Sequence, residues 1–280
     1  MCVAGSLEYT LSQALNAYTI SGGMMKNENY EKEVIQYFER LSMPIRKIPE
    51  SSEKTPDFLI ESDERVLIEL KAKFDLKELH LKQKDTLDTG KVFQHGELTG
   101  YTGKVAKIIS EGNSQLKKQK DATNSQFCFL FLIASGVTAS SQVKQFISTF
   151  YGCMPIVDFD SKSSQAKNCY YFTESQFFRF KDSLDGAFIV NLYTGEVQFV
   201  LNDKSTNYSS LKQSKFLEKC RRHIPVIDPI ELEAQGHVYI ADCELNRRNM
   251  QDVQKYVFEK YGIKKGMCHN FENTVFQASL

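Results

Sequence analysis

Asp57, Glu69 and Lys71 fall within "TPDFLIESDERVLIELKAK", residues 55–73. Two carboxylates and an amine at this spacing can hold a hard cation and manage a proton. On a strand, residues two apart point to the same side, so Glu69 and Lys71 share one face of "RVLIELKA" while Ile68, Leu70 and Ala72 share the other. Asp57 opens the preceding strand, "DFLIE", and an antiparallel hairpin turning at 62–64 sets it beside Glu69 by counting outward from the turn. Paired carboxylates at a strand end suit Mg²⁺, which takes one or two of them, keeps several waters and leaves the remaining positions to substrate phosphate. Mn²⁺ is the expected substitute, and the backbone carbonyl of Leu70 is a further candidate ligand. A cation there would acidify a water and offset charge on a phosphodiester. Lys71 could orient or deprotonate that water and stabilise the charged transition state. Pro-Asp alone is a turn signal and Glu-x-Lys alone an ordinary sheet pair, so it is their conjunction that points to chemistry.

The elements that must position these groups follow from periodicity. "NYEKEVIQYFERL" places Tyr30, Val34, Tyr37, Phe38 and Leu41 on one helical face, and Pro44 is the expected stop. "IRKI" reads as a short strand before the hairpin. Residues 74–100 read as a polar, irregular excursion. The stretch 102–119 reads as a helix that Gly112 weakens or kinks, and 127–135 as a buried strand. The resulting order is helix, three strands, helix, strand. Beyond it, "SSQVKQFISTFYG" reads as a helix stopped by Gly152 and "GAFIVNLYTGEVQFVLN" as a hairpin. "SSLKQSKFLEKCRRH" and "MQDVQKYVFEKYG" read as two further helices. The expected division is an N-terminal extension (1–28), a core (29–150) and an α+β C-terminal region (151–280), with the second hairpin able to extend the first sheet.

Pro56-Asp57 followed by Glu69-Leu70-Lys71 on the next strand resembles the PD-(D/E)-x-K signature of the restriction-endonuclease-like nuclease superfamily. The resemblance spans roughly residues 29–135. It implies an α/β restriction-endonuclease-like core with a mixed sheet, and a metal-dependent nuclease acting on phosphodiester bonds, with DNA the expected substrate ahead of RNA, in defence against foreign DNA or in repair. "YEKEVIQYFERLSMPIRKI" is similar to the first helix of archaeal Holliday-junction resolvases. By that similarity Glu31, with Glu33 as second choice, joins Asp57, Glu69 and Lys71 at the site. Gln115 and Lys118 stand where family members carry a polar residue on the helix after the ExK strand. With Lys73 they form the expected nucleic-acid contacts. The long excursion at 74–100 departs from compact members.

Composition narrows the alternatives. Lys plus Arg equals Asp plus Glu, 35 each, so any electrostatic preference is local. Residues 71–120 hold 11 lysines against 6 acids, an excess that would favour phosphate. Lys212, Lys215, Lys219 and Arg222 fall at helical spacing and could grip a backbone or form the wet side of a helix. Seven scattered cysteines without a C-x-x-C pair argue against zinc sites and for reduced core thiols. The absence of a Walker loop or a serine elbow excludes ATP and serine hydrolysis. No long apolar run or signal peptide is legible, so a cytoplasmic location without membrane contact is expected. One site cuts one strand, so double-strand cleavage calls for a homodimer or a partner that supplies specificity or a motor. The competing reading is a non-catalytic nucleic-acid-binding subunit, or a structural partner in a larger complex, on the same fold.

Overall fold

The computed structural model describes residues 27–49, 55–161 and 165–278. Most of the N-terminal extension expected at 1–28 lies outside the described residues. In chain order the first half contains α1 (Asn27–Arg40), β1 (Ile45–Lys47), β2 (Phe58–Glu61), β3 (Arg65–Lys73), α2 (Lys77–Asp88), β4 (Phe93–Leu98), α3 (Gly103–Lys120), β5 (Phe127–Ala134) and α4 (Ala139–Tyr151). The second half contains β6 (Met154–Asp158), β7 (Lys167–Tyr170), α5 (Gln176–Arg179), β8 (Gly186–Asn191), β9 (Val197–Leu201), α6 (Tyr208–Lys212) and α7 (Lys215–His223). It ends with β10 (Val226–Ile227), α8 (Pro229–Ala234), β11 (Tyr239–Ile240), α9 (Met250–Tyr261), β12 (Gly266–Cys268) and β13 (Glu272–Gln277).

A seven-stranded mixed sheet, ordered β1-β2-β3-β5-β8-β9-β10, divides two apolar layers. β3, β5 and β8 run parallel, and β2 and β9 flank them antiparallel. All eight residues of β5 are buried, as a strand covered on both faces requires. One face packs Tyr30, Val34, Tyr37 and Phe38 of α1, Leu41 just past it, and Phe216, Leu217 and Cys220 of α7 against Ile68, Phe129, Phe131 and Phe188. The Phe188 and Phe199 rings stack at 4.2 Å, and Phe129 meets Phe216 at 5.2 Å, inside the range where aromatic pairs add to area burial. The other face packs Val105, Ile109 and Leu116 of α3 and Phe146 and Phe150 of α4 against Leu67, Leu130 and Leu132.

The hairpin register is the one counted from sequence: Phe58 faces Ile68 and Glu61 faces Arg65. The second hairpin extends the same sheet through β5–β8, the chain returning to it after β6 and β7. Past that point β11-β7-β6-β12 form a separate four-stranded sheet on which Val253 and Val257 of α9 pack. Among the described residues no helix is long and apolar enough to cross a membrane.

Several local expectations need correction. Residues 74–100 are not irregular, because they form α2 and β4. β4 pairs with β13, the last described strand, as a two-stranded sheet of its own. Pro44 is not what stops α1. Ser42 takes a left-handed conformation at φ 56°, and Met43 N–H bonds to Phe38 O at 2.9 Å while Ser42 N–H bonds to Glu39 O at 2.9 Å, a Schellman closure two residues earlier. The helix expected at 209–223 is two, since Ser214 breaks the run and its Oγ caps α7 by accepting from Leu217 N–H at 3.1 Å. The basic stripe consequently disperses: Lys212 pairs with Asp228 and Glu231, Lys215 with Asp63 and Arg222 with Glu218.

Candidate active site

β3 runs on past the end of β2, and that overhang makes the site. Pairing between the two strands stops at Phe58–Ile68, while β3 continues to Lys73. The backbone of residues 69–73 would be an open edge on that side, with polar groups needing partners. Asp57, in register opposite Glu69, fills the first gap: its Oδ2 accepts from Leu70 N–H at 2.7 Å. The same residue's carbonyl accepts from Ile48 N–H at 2.8 Å, which fixes its backbone against the end of β1.

Glu69 is fully buried among apolar neighbours, with its side chain 1% exposed. One of its oxygens accepts from Lys71 Nζ, and its side chain is hydrogen-bonded to the Asp57 carboxyl, as two carboxyls can be when one keeps its proton. Burial first, and the nearby Asp57 charge second, push the Glu69 carboxyl up to about 8. Burial also raises Asp57, partly offset by the Leu70 N–H bond. Lys71 Nζ donates to Gln115 Oε1 at 2.8 Å, and Gln115 Nε2 donates to Thr55 O at 3.1 Å. Gln115 on α3 thereby ties the lysine to the segment that leads into Asp57.

Gly112 makes this approach feasible. A Cβ at that position would lie 2.6 Å from Leu130 Cδ2, 3.4 Å from Glu69 Cγ and 3.6 Å from Lys71 Cγ. α3 passes through Gly112 without interruption, so the glycine read as a weak point in the helix is its contact with the strand that bears the carboxylate and amine. We expect Gly112→Val to collide first with Leu130 and, through its larger side chain, to press on Glu69 and Lys71, lowering stability by about 1–3 kcal/mol. Thermal melting of the variant beside wild type would check this.

Glu31, on α1, approaches Asp57 closely enough to raise its carboxyl, and accepts from Lys47 Nζ at 2.6 Å. A cleft of about 300 Å³ opens between α1 and the β3 overhang, lined by Tyr30, Glu31, Asp57, Leu70, Lys71, Ala72 and Phe74. The other residues expected here do not join it. Lys73 donates to Gln145 Oε1 at 3.0 Å in a neighbouring cleft, and Lys118 is exposed one turn beyond Gln115. Tyr30, Phe74, Thr55 and Gly112 were not singled out as site residues from sequence. Gly112, an interruption in an otherwise good helical pattern, carried the one signal that could have been read.

The donor set fits a hard, oxygen-seeking cation. Among the described residues no group of three His, Cys, Asp or Glu side chains converges on a metal position. Mg²⁺ asks for less, one or two carboxylates and a carbonyl with waters and phosphate completing its shell. Two carboxyls in contact, Glu69 and Asp57, both raised chiefly by burial, form the kind of pair whose ionised state a divalent cation stabilises. The chain matches no protein-family model, no curated protein and no solved structure, so the chemistry of this cleft rests on its own geometry.

Proposed function

We propose that this chain is a Mg²⁺-dependent endonuclease that hydrolyses phosphodiester bonds in DNA. The observation that carries the reading is the union of Asp57, Glu69 and Lys71 at the β3 overhang, with the two carboxyls in contact and the lysine positioned by Gln115. The succession α1, β1, β2, β3, α3, β5 in one mixed sheet supports the resemblance to the PD-(D/E)-x-K nucleases, with α2 and β4 as an insertion between β3 and α3.

In this reading Asp57, Glu69 and the Leu70 carbonyl would hold Mg²⁺, which when bound acidifies a water and offsets phosphoryl charge. The chain's own groups do the rest. Asp57 keeps Leu70 in place through the N–H bond, so the carbonyl on the same residue is oriented by the carboxylate beside it. Once Glu69 is engaged, Lys71 stays tethered by Gln115 and its ammonium can reach the attacking water or a non-bridging phosphoryl oxygen. Glu31 contributes negative charge at the cleft wall opposite. Cutting both strands would take a second copy of the chain or a partner protein.

The test is incubation with supercoiled plasmid, linear duplex, single-stranded DNA and RNA in Mg²⁺, Mn²⁺ or EDTA. DNA cleavage with either ion and none in EDTA is expected. Binding that is indifferent to metal, with no substrate cut, would replace this reading by the non-catalytic one.

A further inference from the structure

Beside the candidate active site, across Phe74, lies a second cleft of about 630 Å³. Its walls come from the segment unique to the α2–β4 insertion together with the start of α3 and with α4. We infer that it receives the nucleotide next to the scissile phosphate, unstacked from its neighbours, and therefore that the substrate class is single-stranded DNA or DNA with unpaired nucleotides at the cut. This rests on the nuclease reading of the neighbouring site.

Four observations carry it. First, Lys71 and Lys73 lie two residues apart on the same face of β3, roughly 6–7 Å by the rise of a strand, a step comparable to that between successive phosphates. Lys71 serves the first cleft and Lys73 lines the second. Second, Lys82 and Lys104 line the cleft with no acidic ion-pair partner among the described residues, while Lys73 is balanced by the nearby Glu97 and Asp75.

Third, the acids in the cleft are already engaged or peripheral. Asp75 accepts from Thr138 N–H, Thr138 Oγ1 and Gln142 Nε2; Glu97 accepts from Gln145 Nε2 at 3.1 Å and faces His95; Glu78 sits in the exposed first turn of α2. The N-terminus of α3 opens onto the same space, with Thr102 and Lys104 in its lining. The amides of Gly103 and Lys104 have no intrahelical acceptor and suit a phosphate. Fourth, Phe74 and Leu98 are 45% and 62% exposed at the cleft, an apolar surface on which a base can stack. A space of this size admits one nucleotide and excludes a duplex.

The experiment is fluorescence anisotropy in EDTA, where no cleavage is expected, with a fluorescein-labelled oligodeoxynucleotide as a single strand and as its blunt duplex. Wild type should bind the single strand more tightly. Lys104→Glu and Leu98→Asp, both at exposed positions and checked for an unchanged melt, should each weaken single-strand binding about tenfold or more and duplex binding much less. Equal affinity for the two forms, or variants that weaken both alike or neither, would overturn the inference. Metal-dependent cleavage of plasmid is scored separately. Cleavage without strand preference sinks the nucleotide pocket alone, and strand preference without cleavage sinks the nuclease reading alone.

Discussion

Lys71→Ala is expected to lower Mg²⁺-dependent cleavage by about 10²–10³-fold, the usual loss when one group that stabilises transition-state charge is removed. Asp57→Asn is expected to abolish cleavage by a different route. An asparagine side chain can still accept from Leu70 N–H, so the β3 edge stays satisfied and the fold should survive. A neutral amide is a much poorer ligand for a hard divalent cation than a carboxylate. Calorimetry with Mg²⁺ separates the two variants: cation binding should vanish in Asp57→Asn and persist in Lys71→Ala, while single-turnover cleavage at saturating Mg²⁺ falls in both. If Lys71→Ala cleaved at the wild-type rate, the lysine would be a mere partner for Glu69, and the proposed chemistry would lose its amine.

The part of the site that was legible in sequence is the part set by local rules. Strand alternation put Glu69 and Lys71 on one face, and a three-residue turn fixed Asp57 opposite Glu69, because a hairpin register depends only on residues within a few positions of the turn. α1 was legible because Tyr30, Val34, Tyr37 and Phe38 repeat at helical spacing and are all buried. α2 escaped because "KELHLKQKDTLD" buries none of its residues and so has no apolar stripe to detect. β4 escaped because its partner is β13, with Phe93 opposite Gln277, a pairing across most of the chain that no local window contains. Lys212 looked available for phosphate because Asp228 and Glu231, which neutralise it, come from the segment after α7. The second cleft, built by this insertion, could not be read for the same reason: its walls meet only in the fold.

The same burial that prepares Glu69 for a cation should make the metal-free protein unusually sensitive to alkaline pH. The folded-state carboxyl is raised to about 8, against 4.5 for the unconstrained side chain. Between those values the native state holds a proton that the unfolded state has released, so stability falls as pH rises through this window. The loss is absent below about pH 4.5 and complete above about pH 8. Burial raises Asp57 as well, which adds in the same direction. Glu61, Glu231 and Asp242, held low by lysine and arginine partners, are already ionised in both states over this range and do not mask the effect. In EDTA, wild type should therefore lose stability on the order of 3–5 kcal/mol between pH 5 and pH 8.5, measured by denaturant unfolding. Glu69→Gln, neutral throughout, should lose much less and should be the more stable protein at pH 8.5. Adding Mg²⁺ at pH 8.5 should restore wild type and leave Glu69→Gln unmoved, because the cation binds the ionised carboxylate and stabilises only the state that presents it. A wild-type stability that is flat across this window would mean that Glu69 ionises without penalty, and a carboxylate so well solvated would give the cleft no reason to hold a metal.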